Sequence, residues 1–144
     1  MDALELLKQD HAKVKKLFDK AESVDNREQK RIFNQIKIEL EIHAQIEENI
    51  FYPAMQRYDG LKELVAESLK EHGSMKALLQ KLVTLTDPEE FKDTLEELID
   101  SVEHHAEDEE EGKMFPKVRE LVSANELQKL GAQLQAAKGH RKAS

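Results

Sequence analysis

Apolar residues recur three and four positions apart over most of the chain, the period of a helix that buries one face. Leu4, Leu7, Val14 and Phe18 share a stripe that predicts a first helix from about Asp2, an N-cap by residue type, to about Ser23. After the polar link SVDN, a second helix is predicted from about Arg27 through Phe33, Ile36, Leu40 and Ile50, until Pro53 interrupts the backbone hydrogen bonding. The turn at Tyr58, Asp59 and Gly60 opens a third helix, whose stripe reads Leu61, Val65, Leu69, Met75, Leu79 and Leu82. Asp87 followed by Pro88 is a strong start signal for a fourth, with Phe91, Leu95, Leu98 and Val102 on one face. Ser123 or Asn125 caps a short terminal helix through Leu127, Leu130 and Leu134, expected to pack outside the main core.

Four long amphipathic stripes joined by links of a few residues predict an all-α fold, an up-down-up-down four-helix bundle with antiparallel neighbours. The expected organisation is a bundle over 1–122, a short C-terminal helix over 123–138 packed on it, and a flexible tail over 139–144. The bundle carries an internal two-fold repeat. KQDHAKVKKLF (8–18) parallels LKEHGSMKALL (69–79), and HAQIEENIFYP (43–53) parallels HAEDEEEGKMFP (105–116).

Composition sharpens this picture. Charged residues make up 36% of 144 positions while aromatics are 5% and proline and glycine are scarce, which favours helices with solvated outer faces. A formal net charge of −8 argues against nucleic acid and anionic membrane as partners, and no apolar run approaches a membrane span. The N-terminal residues lack the pattern of a signal peptide, so a soluble cytoplasmic protein is expected. There is no cysteine, so any metal must be held by nitrogen and oxygen.

Polar residues interrupt the stripes at corresponding places. His11 falls on the first, His43 and Glu47 on the second, His72 on the third, and His105 and Glu109 on the fourth. Residues four apart on an α-helix differ by only about 40° in direction, so each His/Glu pair lies on one face, towards the core. Each unsatisfied buried polar group costs roughly 1–3 kcal/mol, so four imidazoles and two carboxylates need a common partner. Bundle cores hold pairs of metal ions with donor sets of this kind, and imidazole with carboxylate suits iron, with zinc or manganese as lesser candidates.

This order, His, then HxxxE, then His, then HxxxE, with aromatic-proline ends at Tyr52-Pro53 and Phe115-Pro116, resembles the hemerythrin family in its HHE cation-binding form. The resemblance implies a non-heme centre of two iron ions with a bridging oxo or hydroxo group. His11, His43, His72 and His105 would be terminal ligands, and Glu47 and Glu109 bridging or terminal carboxylates. It further implies that the centre binds or reacts with a small oxidant: O2, hydrogen peroxide or NO. The alternative is an iron-binding or sensing module without turnover, and a metal-free helical interaction module is a third reading. The chain departs from oxygen-carrying members, which have a second histidine where Lys76 stands and an Asp five residues after the last histidine. Those departures favour peroxide, NO or redox chemistry over plain oxygen carriage. A monomer or weak homo-oligomer is expected.

Several residues admit two readings. His104 paired with Glu109 gives the longer HxxxxE spacing, but His105 shares the face of Leu98 and Val102. Tyr52 is either packing near a helix end or a phenolate ligand turned inward by local unwinding. Met75 and Phe51 read as core or as the wall of a ligand pocket. Glu48, Glu110 and Glu111 read as a charged outer face, His140 as a solvated tail residue, and Gly73 as relief of crowding beside His72.

Overall fold

The computed structural model describes the backbone of residues 1–143 and the side chains of residues 1–140. All the long elements among the described residues are helical: α1 (Ala3–Glu22), α2 (Asn26–Ile46), α3 (Tyr52–Met55), α4 (Lys62–Thr84), α5 (Pro88–Glu103), α6 (Phe115–Leu121) and α7 (Ala124–Ala143). Two π-helical segments, Glu47–Phe51 and His104–Met114, join α2 to α3 and α5 to α6.

The helix starts follow local chemistry. Asp2 accepts the Glu5 N–H at 2.9 Å while the Glu5 side chain takes the Asp2 N–H, a reciprocal cap on α1. Asp25 caps α2 in the same sense, which starts that helix at Asn26, and Asp87 caps α5 with Pro88 in its first turn. Of the two candidates for α7, Ser123 is the cap, its hydroxyl accepting the Glu126 N–H at 3.1 Å.

Pro53 does not end the second helical run, which passes through it to Met55. Proline is costly in an α-helix because it lacks the donor for residue i−4 and its ring crowds that carbonyl. Here residue i−4, Asn49, lies in a π segment, where bonds run to i+5 and the ring meets a wider turn.

α1 packs on α2 and α4 on α5, two hairpins that build the bundle, while α7 lies against α1 and α2. Two apolar clusters fill the interior. One gathers Leu7, Phe51, Met55, Val65, Phe115 and Val118; the other gathers Val14, Phe18, Ile36, Leu79, Phe91 and Leu98. The four seam histidines fall between these clusters along every long helix of the bundle, so the site occupies a polar layer sandwiched by apolar ones.

Several further expectations are corrected. Leu127, Leu130 and Leu134 belong to the first cluster rather than lying outside the core. They reach it because Gly131 lets α7 approach the N-terminal backbone, where a Cβ would meet the carbonyl oxygen of Met1 and stand 2.9 Å from Asp2. α7 also continues beyond 138 as far as Ala143, and of the expected tail only Ser144 lies outside the described residues. Leu69 is exposed, and Ser68 takes the buried position beside it. A Cβ on Gly73 would meet nothing within 4 Å, so no crowding beside His72 explains that glycine.

Candidate metal centre

Four helical stretches each deliver one imidazole, and two of them add a carboxylate. The Nε2 atoms face inward. His43 Nε2 and His72 Nε2 stand 3.2 and 3.1 Å from Glu47 Oε1, while His11 Nε2 and His105 Nε2 stand 3.1 and 3.4 Å from Glu110 Oε1. His72 Nε2 and His105 Nε2 are 3.1 Å apart. The Tyr52 hydroxyl enters the same layer, donating to Glu110 Oε2 at 2.6 Å and lying 3.3 and 3.4 Å from the Nε2 atoms of His72 and His105. Of the two readings of Tyr52, the structure turns it inward.

Among the described residues three groups of donor atoms converge: two share Glu47, with His11, His43, Glu47 and Glu110 on one side and Glu47, His72 and His105 on the other, and a third, Glu71, His104 and Glu109, lies partly exposed outside them. Five of the six residues expected from the seams are therefore brought together, and Glu109 is not. It is half-buried and pairs with Lys113 at 3.0 Å, while exposed His104 lies 3.6 Å from it. The fully buried carboxylate is Glu110.

The cause is local. An α-helix brings residue i+4 beneath residue i, but 104–114 is wound as a π-helix, whose wider turn brings i+5 there instead. The chain records this in its spacing. His43 lies ten positions before Pro53, whereas His105 lies eleven before Pro116, and counted back from each proline the sixth residue is Glu47 in one repeat and Glu110 in the other. Glu110 stands five residues after His105, where Glu109 stands four after it.

Outside this layer, each Nδ1 meets its own carboxylate. His11 faces Glu111 at 2.6 Å, His43 faces Asp10 at 2.9 Å, His72 faces Glu48 at 2.8 Å and His105 faces Glu71 at 2.6 Å. A neutral imidazole that donates from Nδ1 keeps its Nε2 lone pair free, the tautomer a metal requires. Asp10 is held in turn by Lys138 of α7, and Glu48 by Lys76 at 2.7 Å. Glu48 and Glu111, expected on an outer face, thus orient site histidines, and Lys76 stays half-exposed at the margin.

Charge follows the geometry. Burial disfavours protonated His11, but bonds to Glu110 and Glu111 outweigh it and raise its pKa to about 9. His43 is raised well above the usual imidazole value and His72 is raised, in each case against burial, by the facing carboxylates. Glu47 is held well below the ordinary carboxylate range despite burial, chiefly by His43, while burial and the nearby Glu47 push Glu110 up. Burial and both carboxylates keep the Tyr52 phenol protonated far up the scale.

Protons alone leave the layer incompletely satisfied. Among the described residues, His43 Nε2 and both oxygens of Glu47 are buried without a hydrogen-bond partner. Such groups are costly to bury, and here they converge with other lone pairs on shared points. A donor set of imidazole nitrogen and carboxylate oxygen, with each imidazole oriented from behind, fits metal ions of the iron type.

Comparison with known proteins gives the same direction. The chain is 30% identical over 140 residues to a DNA nickase of Nostoc sp., a match that covers 96% of this chain but 39% of that protein. It is also similar to a crystal structure of a hemerythrin HHE cation binding domain-containing protein from Mycobacterium kansasii. There the TM-score is 0.82 at 30% identity, over 97% of this chain and 89% of the other. Residues 2–118 match the hemerythrin HHE cation binding domain, so the chain belongs to the hemerythrin HHE family, whose members bind metal ions, typically iron.

Proposed function

We propose that this protein holds two iron ions at the bundle core and uses them to bind or reduce a small oxidant, O2, hydrogen peroxide or NO. The observation that carries the reading is that His43 Nε2 and both Glu47 oxygens are buried without a hydrogen bond inside a layer of four oriented imidazoles. His11 and His43 would hold one ion and His72 and His105 the other, with the carboxylates of Glu47 and Glu110 available beside them. When bound, iron ions would supply one-electron redox chemistry and Lewis acidity toward a diatomic or peroxide ligand.

The protein's own groups do the rest. Glu111, Asp10, Glu48 and Glu71 fix the imidazole tautomers from behind. Tyr52 places its hydroxyl beside His72, His105 and Glu110. Its phenol, kept protonated, holds its proton on Glu110 Oε2 at the edge of that half of the site. The apolar clusters above and below flank the layer, which opens to one side through a cavity lined by all four histidines.

Metal analysis of protein purified without oxygen tests this reading, followed by optical spectra in air and after peroxide. Two irons per chain and consumption of peroxide or NO are expected. Less than one iron per chain after reconstitution removes the proposal. Tyr52→Phe should keep the metal and alter the visible spectrum.

A non-catalytic iron-sensing role is favoured by one observation: the matched region is 39% of the DNA nickase, so in that longer protein this domain is one part among others. Metal-dependent stabilisation without turnover would support that role. The formal charge of −8 gives no ground for carrying the nickase's activity to this chain.

A further inference from the structure

A cavity of about 670 Å³ runs from the four histidines into the half of the bundle built by the second apolar cluster. It lies in the seam between the two hairpins, where α1 meets α5 and α2 meets α4 less closely than the partners within each hairpin meet. Its walls beyond the histidine layer are Val14, Phe18, Leu40, Met75, Leu79 and Val102. Its buried polar groups, the histidines and Asp10, sit together at one end.

That volume is out of scale with a diatomic gas or hydrogen peroxide. A single water takes up about 30 Å³ in the liquid, whereas pockets for sizeable organic ligands run to roughly 300–1,000 Å³. Charge at the mouth narrows the class further. The cavity is lined by Lys8, Lys15, Lys37 and Lys76 and by Glu41, Glu103, Glu107 and Glu111. Lys15 pairs with Glu107 at 3.0 Å, Lys37 with Glu41 at 2.8 Å and Lys76 with Glu48 at 2.7 Å, and Lys8 acts on Glu111, so the lysines at the rim are balanced by carboxylates. The rim offers an anionic head group little, and an uncharged molecule loses nothing in crossing it.

We propose that this cavity is a binding site for an uncharged organic hydroperoxide, with its apolar body along Val14, Leu40, Leu79 and Val102 and its terminal oxygens at the histidine layer. The inference rests on the reading of the core as an oxidant-handling centre and names the substrate class it takes. Among peroxides, only those with an organic body use the apolar volume that adjoins the site.

Binding can be read without reaction by titrating 2-phenyl-2-propanol, the stable alcohol of cumene hydroperoxide, into the full chain, metal-loaded and metal-free, and following it by calorimetry and amide NMR shifts. Saturable one-to-one binding is expected in both forms. It should weaken at least about tenfold in Leu40→Trp, which fills the half-buried rim, and in Leu79→Trp, which fills the interior, with helicity and metal content unchanged. Two variants are used so that one folded protein with a filled cavity is in hand. No saturable binding in the wild type overturns the proposal, as does binding that both tryptophans leave intact. If iron loads and hydrogen peroxide is consumed but the alcohol does not bind, this inference fails alone. If the alcohol binds and no iron loads, the oxidant reading fails while the cavity remains a site for apolar organic molecules.

Discussion

Two adjacent glutamates separate the buried from the solvated face of one helical turn. Glu110 has no exposure and faces His11, His105 and Tyr52, while Glu109 faces Lys113. Glu110→Gln removes a buried carboxylate that faces His11, His105 and Tyr52, so we expect at least one iron per chain to be lost. Glu109→Gln should leave metal content unchanged. Metal analysis of the two variants side by side decides between them, and equal iron in both would return Glu110 to a structural role. Asp10 works one step further out: it accepts from His43 Nδ1 and is itself held by Lys138. Asp10→Asn keeps the shape but loosens control of the tautomer, and loss of such an orienting partner typically weakens metal affinity about 10–100-fold. Competition with a chelator would measure it, and unchanged affinity would count against the orienting role.

The elements explain why some of this was legible in the chain and some was not. Periodicity announced the long helices, and four interrupted stripes announced His11, His43, Glu47, His72 and His105, because an α-helix maps sequence spacing onto direction at a constant rate. Glu110 escaped because the rate changes in the π segment, and the only trace of that change is the one-residue difference in distance to Pro116. The carboxylates behind the histidines escaped for another reason. Glu48, Glu71 and Glu111 lie on partly exposed faces, where charged residues are common, and only the packing of a neighbouring helix shows which ones meet an imidazole. The placement of α7 depends on a contact distant in sequence, Gly131 against Met1 and Asp2. Gly131→Ala must therefore push α7 off the N-terminus. Overpacking of this kind costs about 1–3 kcal/mol, and at roughly 2–4 °C per kcal/mol for a chain of this size the melting temperature should fall by several degrees. Thermal unfolding followed by circular dichroism checks it, and an unshifted midpoint would mean that α7 is not held there.

For the molecule as a whole, the metal layer makes stability a function of pH with opposite trends in the two forms. In the metal-free protein the pKa of His11 is about 9, against about 6.5 for an unfolded imidazole, and those of His43 and His72 are also raised. The folded state then binds protons more tightly than the unfolded chain. Its advantage is fully present below about pH 6.5 and is lost as pH rises through about 9, with each proton fully taken up worth about 1.4 kcal/mol per pH unit. On the proposed reading those same nitrogens hold metal in the loaded protein, and binding must first expel the protons, so the metal's contribution would strengthen over the same interval. The melting temperature of metal-free protein should thus decline from about pH 6.5 to about 9, while that of iron-loaded protein should not. Scanning calorimetry on both forms across that range provides the comparison. Parallel curves would mean that His11, His43 and His72 keep their protons whether or not metal is present, which is incompatible with a centre ligated through their Nε2 atoms.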